Sequence, residues 1–281
     1  MEKERFNSAE TMDETPSSET DSVGDQAERK SPTSADPALC PFLAALPPVA
    51  VVTGHYGVGK TNLTLNMAFD LAAAGFAVTV VDLDVVNPYF RSSDYAEAFA
   101  QAGIELVAPL YAGTTLDSPG LSGRVSTVVQ QAYEDPTRRR VLVDAGGDDV
   151  GATALGRFSG AVQAGDHAVL FVVNERRNLT QTPGEAAAIM AEVQAKSRLS
   201  VSGVIGNTHL QTETSDQIVL EAVPFSCEVA RSADVPLWAL TAPRWLAGSF
   251  GDDAWRAAAE KTEYGIYPVD VRVCTPWDSA R

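Results

Sequence analysis

The sequence predicts an α/β protein built on a doubly wound, mostly parallel sheet with helices on both faces. From about residue 47 onward, short valine-rich runs alternate with longer amphipathic stretches. Strands that are buried on both faces of a parallel sheet have this continuously apolar character. Strand–helix alternation then favours right-handed crossovers within a single sheet. Since no second boundary or internal repeat appears, residues 40–281 form one predicted domain.

The predicted elements follow in a regular order along the chain. The strand candidates are residues 49–53, 77–82, 104–108, 141–144, 168–173, 201–205 and 236–240. The helical stretches lie near residues 60–74, 92–102, 121–134, 151–163, 182–197 and 214–232. Every strand candidate but the last is followed by a helical stretch, as crossovers between parallel strands require. Residues 1–38 are rich in Ser, Thr, Glu, Asp and Pro, so we predict a disordered acidic tail there.

Composition excludes several classes of function. The formal net charge of −16 argues against a nucleic-acid partner, because phosphate contacts need clustered Lys and Arg. Cys40, Cys227 and Cys274 form no C-x-x-C pair, which fits a reducing cytoplasm and gives no zinc or iron–sulfur pattern. The sequence has neither a signal-peptide pattern nor an apolar run of about 18 residues. We therefore expect a cytoplasmic protein without stable membrane insertion.

Residues 51–62 read VVTGHYGVGKTN, which contains the G-x-x-x-x-G-K-T spacing of a phosphate-binding P-loop (Walker A). The loop lies between a predicted strand and a predicted helix, the context that separates a P-loop from a chance match. Lys60 is expected to reach the β- and γ-phosphates and to be catalytic, and the Thr61 hydroxyl to ligate Mg²⁺. The predicted nucleotide contacts in this segment are Gly54, His55, Tyr56, Gly57, Val58, Gly59, Lys60, Thr61 and Asn62.

Carboxylates follow two of the other predicted strands. Asp82 and Asp84 come at the end of the second strand, and their i, i+2 spacing points both side chains the same way. Asp144 ends the run RVLVD and is placed like the acidic residue of a Walker B strand. Ligands of open α/β sheets bind at the carboxyl ends of the strands. Together with the P-loop, these residues predict an Mg²⁺- and ATP-binding site.

These motifs make the chain resemble the ParA/MinD family of deviant-Walker P-loop ATPases, within the wider class that includes the nitrogenase iron protein. The resemblance rests on GHYGVGKT, VVDLDVVNPYFR, VLVDAGG and VSGVIGN, within residues 48–245. It implies that Asp84 positions the attacking water and that Asp82 and Asp144 support the magnesium. It also implies switch regions at 85–93 and 146–151.

The resemblance further implies that Asn207, after a late strand, contacts the nucleotide base, and that residues 241–244 close over it. The alternative is that Asn207 caps the turn before the helix near Thr214. No segment resembles the N/T-K-x-D motif, so ATP is favoured over GTP.

The chain departs from the family pattern inside the P-loop. His55 stands where the family has an additional lysine that reaches across a dimer, and Tyr56 replaces the following glycine. A neutral imidazole does not stabilise transition-state charge as a permanent cation does. Arg91, or one of Arg176 and Arg177, is a candidate for the missing positive charge.

Three functional interpretations remain open at this stage. The first is a cytoplasmic Mg²⁺-ATPase (a hydrolase) that acts as a molecular switch on an unknown protein partner, with a homodimer as one form. The second is an ATP-dependent metabolic enzyme of the dethiobiotin synthetase or cobyrinate amidase type, which also lacks the extra lysine. A third is an ATP-binding regulatory subunit without appreciable turnover.

Overall fold

The computed structural model describes residues 39–84, 92–108 and 119–273. The predicted acidic tail at 1–38, most of the predicted first switch together with Arg91, and Cys274 lie outside the described residues. Among the residues described, no helix is both long enough and apolar enough to cross a membrane.

One sheet of eight strands organises the described residues, and every neighbouring pair in it is parallel. Its strands are β1 Val49–Thr53, β2 Ala77–Asp82, β3 Glu105–Val107, β4 Arg139–Asp144, β5 His167–Val173, β6 Gly203–Gly206, β7 Leu237–Pro243 and β8 Ile266–Val269. They lie in the order β3-β2-β4-β1-β5-β6-β7-β8. The predicted doubly wound parallel α/β architecture is therefore confirmed.

The helices run between the strands. They are α1 Pro41–Ala44, α2 Lys60–Ala73, α3 Ala96–Gln101, α4 Pro119–Glu134, α5 Asp149–Gly156, α6 Ser159–Val162, α7 Pro183–Ser197, α8 Asp216–Glu221, α9 Val223–Ser232 and α10 Asp253–Ala259. The predicted helix near 214–232 is two helices, because Pro224 in the first turn of α9 lacks an N–H with which to continue α8. The predicted helix near 151–163 is likewise divided into α5 and α6.

The sequence pattern does not predict β8. This strand is four residues long and contains Pro268, which cannot donate to a ladder. A proline is tolerated there because β8 lies at the edge of the sheet.

Apolar clusters cover both faces of the sheet. Side chains of β1 alternate between them, with Val49 and Val51 in one cluster and Ala50 and Val52 in the other. Residues of α4, α5, α7 and α9 pack in the first cluster, and residues of α1, α2 and α3 pack in the second. This burial on both faces explains why the central strands are continuously apolar.

The register of the sheet collects the sequence motifs at one edge. Val52 of β1 is opposite Asp144 of β4, and Asp144 is in turn opposite Asp82 of β2. The P-loop leaves β1 immediately beyond this point. Because the three strands are parallel, the loop and both carboxylates lie at the carboxyl edge of the sheet.

A ladder of side chains on α2 holds residues 266–273, which we call the strap. Asn66 Nδ2 donates to Asp270 O at 2.9 Å, and Asn66 Oδ1 accepts from Asp270 N at 2.8 Å. Asn62 Oδ1 accepts from Arg272 N at 2.8 Å. Because the two asparagines are four residues apart, they lie on the same face of α2. They fix the strap against the helix that carries the P-loop.

The Asn66→Ala variant tests this ladder. Asn66 is fully buried, and its loss removes both bonds to Asp270. Asp270 O still accepts from Asn62 Nδ2 at 3.0 Å, but Asp270 N loses its acceptor. We expect the free energy of unfolding to fall by about 2–4 kcal/mol, measured by urea denaturation. The control is Gln130→Ala, whose amide bonds only the exposed Glu134 and which should cost less than about 0.5 kcal/mol. Equal effects of the two changes would show that the ladder does not stabilise the fold.

Candidate nucleotide site

A cavity of about 330 Å³ opens at the carboxyl edge of the sheet, directly against the P-loop. Its walls come from the P-loop, the start of α2, the loops that follow β2, β5 and β6, the end of β7, and the strap. The lining residues are Tyr56, Gly57, Gly59, Lys60, Thr61, Asn62, Asp84, Arg177, Asn207, His209, Gln211, Thr214, Thr241, Pro243, Val269, Val271 and Val273.

Two positions of the P-loop require glycine, because the backbone has a positive φ there and a side chain would clash with neighbouring atoms. Gly54 has φ +145°, and a Cβ placed on it would lie 2.4 Å from Val172 O. Gly59 has φ +95°, and its Cβ would lie 2.4 Å from Asn207 Nδ2. Side chains at these positions would displace the loop from β5 and from the segment after β6. The G-x-x-x-x-G spacing therefore reflects close packing of the loop against the sheet.

Lys60 and Asp84 meet within the cavity wall. Lys60 Nζ donates to His55 O at 3.1 Å and lies 4.0 Å from Asp84 Oδ2. Both side chains are buried, with 5% of the Lys60 side chain exposed. The amine is thus held inside the curve of the loop, facing a carboxylate from the segment that follows β2.

Asp82 and Asp144 do not line the cavity but lie behind Asp84. Asp82 accepts hydrogen bonds from Asp84 N at 3.1 Å and Ser93 N at 2.9 Å. Asp144 Oδ2 accepts from Ser92 Oγ at 2.7 Å, whereas the buried Oδ1 has no partner among the described residues. Burial raises the pKa of Asp82 to about 6. Burial, and then the charges of Asp82 and Asp84, raise the pKa of Asp144 to about 7.

This cluster fits a magnesium ion that is shared with phosphates. In the described residues, no three His, Cys, Asp or Glu side chains form a group that could hold a metal by themselves. Mg²⁺ bound with a nucleotide needs only one or two protein ligands, because phosphates and waters supply the others. The unpartnered oxygen of Asp144, the Asp84 carboxylate and the Thr61 hydroxyl are ligand types of this kind.

The two unusual P-loop residues lie on different sides of the loop. Tyr56 lines the nucleotide cavity and is 54% exposed. His55 instead lines a second cavity of about 340 Å³, together with Gly147, Asp148 and residues of α5 and α7. Burial, and then the charge of Lys60, lower the pKa of His55, so its imidazole is neutral at pH 7. His55 therefore provides no cation at the place of the family lysine.

Asn207 ties the P-loop to the centre of the sheet. Its Nδ2 donates to Val58 O at 2.7 Å, and its Oδ1 accepts from the hydroxyl of Thr241. The cap of α8 is Ser215, whose Oγ accepts from Ile218 N, so Asn207 does not have the turn-capping role. Contact between Asn207 and a base stays a prediction, although its side chain borders the cavity.

The sequence analysis did not assign several lining residues. His209, Gln211 and Thr214 follow β6 without forming a recognised motif, and the strap valines reach the cavity only through the ladder on α2. Of the two adjacent arginines considered, Arg177 lines the cavity. Arg176 is exposed and pairs with Glu175 and Glu221, each at 3.4 Å.

Gly59→Ala and Gly75→Ala form a matched pair. Both glycines have φ near +95°, but at Gly75 an added Cβ meets none of the described residues within 4 Å. Gly75→Ala should therefore lower the free energy of unfolding by about 1–2 kcal/mol through backbone strain alone. Gly59→Ala should lower the free energy of unfolding, measured by urea denaturation, by about 1–3 kcal/mol more than Gly75→Ala does. The reason is that Asn207 is hydrogen-bonded to both Val58 and Thr241 and cannot move away from the added methyl group. Equal losses would contradict the packing described for Gly59.

Asp144→Asn tests the buried carboxylates in metal-free protein. Because the folded-state pKa of Asp144 is raised to about 7 from an ordinary 3.8, its ionisation opposes folding. That penalty is absent below about pH 4 and grows to its full value as the pH rises through 7. An amide does not ionise and still accepts the Ser92 hydrogen bond. Urea denaturation with a chelator gives the free energy of unfolding of both proteins at pH 5 and at pH 8. From pH 5 to pH 8, this free energy should rise by about 1–3 kcal/mol in the variant relative to the wild type. A difference that is independent of pH would contradict the raised pKa.

Comparison with solved structures finds alignments with TM-scores below 0.5 and low sequence identity. FtsY from Thermotoga maritima aligns with a TM-score of 0.49 and 15% identity, over 79% of this chain and 67% of that one. FtsY from Mycoplasma mycoides aligns with a TM-score of 0.46 and 17% identity, over 68% of this chain and 58% of that one. The 54 kDa signal recognition particle protein from Aeropyrum pernix, solved in complex with GDP, aligns with a TM-score of 0.47 and 14% identity. That alignment covers 68% of this chain and 40% of the other. The alignments thus span between 40% and 67% of these proteins.

Sequence comparison identifies the family. No curated protein sequence matches the chain. The model of the CobQ/CobB/MinD/ParA nucleotide-binding domain matches residues 49–233, which contain the P-loop, Asp82, Asp84 and Asp144. The predicted P-loop NTPase fold is thereby confirmed. Because the match covers more than half of its length, this chain belongs to the CobQ/CobB/MinD/ParA nucleotide-binding domain family.

Proposed function

We propose that this protein is an Mg²⁺-dependent ATPase that acts as a cytoplasmic molecular switch for a partner protein. The observation that carries the proposal is the burial of Lys60 beside Asp84 in the wall of the P-loop cavity, with 4.0 Å between amine and carboxylate. A lysine and an acid that are both held at the phosphate end of such a cavity suit phosphoryl transfer to water.

Each residue then has a distinct role. Lys60 and the N–H groups at the start of α2 bind the β- and γ-phosphates. Asp84 orients the attacking water, and Asp82 positions Asp84 by accepting a hydrogen bond from its backbone N–H. Thr61 and Asp144 hold Mg²⁺, which neutralises charge on the phosphate oxygens when bound. A cation bound there would offset the burial that raises the pKa values of Asp82 and Asp144, since it favours their ionised forms.

The proposed base is adenine. Guanine presents N–H donors that P-loop GTPases meet with the carboxylate of N/T-K-x-D, whereas residues 207–210 read Asn-Thr-His-Leu. Pro243 and the strap valines give the cavity an apolar part of its wall. A base is thus held mainly by packing, with Asn207 as the polar neighbour.

The route from nucleotide to partner begins at a backbone contact. A Cβ on Gly147 would lie 2.1 Å from Gly54 O, so the segment after β4 rests directly on the P-loop. That segment leads into α5, whose first turn is capped by Asp148 through a 2.6 Å bond from Gly151 N. A change in the P-loop therefore reaches the exposed first residues of α5, Asp149 and Val150, within a few residues. This short route supports a switch and suits either a protein partner or a homodimer.

The second cavity distinguishes the switch from the alternative, a synthetase-like enzyme. It lies beside the P-loop, where a second substrate would enter. Its acidic lining residues are Asp148, Asp149, Glu185 and Glu192. Lys196 is the base that faces them, and it is paired with Asp149. This charge repels a small carboxylate substrate, so the switch is the better supported function.

The decisive experiment measures binding and hydrolysis of ATP and GTP by the purified full chain, with and without Mg²⁺. We expect ATP to be preferred, Lys60→Ala to lose ATP binding, and Asp84→Asn to bind ATP but hydrolyse it at least about 100-fold more slowly. Light scattering on the same samples reports whether ATP changes the oligomeric state. A preference for GTP, an unimpaired Asp84→Asn variant, or turnover only after a metabolite is added would each contradict the proposal.

A further inference from the structure

We propose that Arg177 and His209 are a pair of hydrogen-bond donors for the phosphate chain of the bound nucleotide, with Arg177 supplying within one chain the cation that His55 does not. The proposal rests on the proposed nucleotide-binding function and assigns a ligand to two residues that the P-loop motif does not include.

Arg177 lies against the P-loop and lines the same cavity. Its Cδ is 3.9 Å from the point where a Cβ of Gly57 would lie. Its Nε is buried and has no hydrogen-bond partner among the described residues. A buried guanidinium N–H without an acceptor is costly, and an anionic ligand in the cavity would remove that cost.

The loop that carries Arg177 is fixed by bonds that leave its guanidinium free to bind. Asn174 Oδ1 accepts from Arg176 N at 3.0 Å. Thr180 Oγ1 lies 3.0 Å from Asn174 O and 3.2 Å from Arg177 O, within hydrogen-bond distance of each. These contacts hold the backbone on either side of Arg177. A preorganised cation binds with less loss of conformational entropy than a flexible one.

The hydrogen bonds of His209 define which of its nitrogens is the donor. Gln211 N donates to His209 Nδ1 at 3.3 Å, so the proton of the neutral ring is on Nε2. Burial, and then the charge of Arg177, lower the pKa of His209 to about 4, which keeps the ring neutral. The Nε2 atom is buried without a partner among the described residues and lies 2.9 Å from the position of a Gly59 Cβ. Its N–H therefore lies above the P-loop.

The charges around the cavity identify the acceptor as an anion. Lys60 is matched by Asp84 at 4.0 Å, and the other lining residues include no second acid to match Arg177. Phosphate oxygens are strong acceptors for guanidinium donors and also accept from a neutral imidazole N–H. Both donors lie over Gly57 and Gly59, on the side of the loop that faces the cavity. The phosphate chain of a nucleotide is the ligand that meets both.

Titration calorimetry of the full chain with Mg²⁺ and ATP, ADP, AMP, adenosine or inorganic phosphate tests the pair. We expect Arg177→Gln to weaken ATP binding about 10- to 100-fold, and His209→Phe about 5- to 10-fold. Adenosine binding should not change, because it has no phosphate. Arg177→Lys should recover part of the loss by restoring the charge. The matched control is Arg176→Gln, next in the chain but exposed and paired with Glu221, which should stay within about twofold of the wild type.

The outcomes separate this inference from the proposed function. If the wild type binds ATP and Lys60→Ala does not, but Arg177→Gln binds like the wild type, the donor pair is wrong and the ATPase proposal stands. A wild type that does not bind ATP overturns both. Equal weakening of ATP and adenosine, or a lower thermal midpoint in both Arg177→Gln and Arg177→Lys, assigns Arg177 a structural role and overturns the inference. Tight binding of inorganic phosphate alone, with no preference for ATP, makes the pair a free-anion site and also overturns it.

Discussion

The whole site depends on the absence of a side chain at Gly54. Its Cα faces Val172 O of β5 on one side, and its carbonyl faces Gly147 after β4 on the other. A backbone that is in contact with both neighbouring strands cannot shift without moving them. This contact sets the position of the P-loop relative to the Arg177 loop, which follows β5, and relative to α5, which follows β4. Close packing of this kind makes the response to a ligand discrete, because packed segments move together.

The sequence predicts the central elements well because their determinants are local. Residues 49–53 and 77–82 are strands with the predicted bounds, since their unbroken apolar runs match burial on both faces. The strap escapes prediction because its order depends on Asn62 and Asn66, which are distant in the chain and have no apolar pattern. The position of the strap is a tertiary property, and the apolar wall that it adds to the cavity could not be read from its own residues.

Within the candidate site, spacing identified the residue types but not their orientations. Arg176 and Arg177 are equivalent by sequence, yet the turn between Asn174 and Thr180 directs one to Glu221 and the other to the cavity. His209 offered no pattern at all, since a lone histidine is chemically informative only when its partners are known. Contact between Asn207 and a base stays a prediction, whereas its bonds to Val58 and Thr241 show that it holds the P-loop in place.

The electrostatics of the site explain why these residues occur together. Asp82 and Asp144 are buried with raised pKa values, so in the absence of a cation they oppose folding at neutral pH. Arg177 Nε and His209 Nε2, which are buried beside the P-loop without acceptors among the described residues, have a corresponding cost. Mg²⁺ and a phosphate chain would satisfy the carboxylates and these donors together, which a free nucleoside or a bare metal ion would not. If Arg177 provides the cation, the charge needed for hydrolysis is complete in one chain. A homodimer would then serve to recognise the partner, and catalysis would not depend on a residue that crosses between subunits.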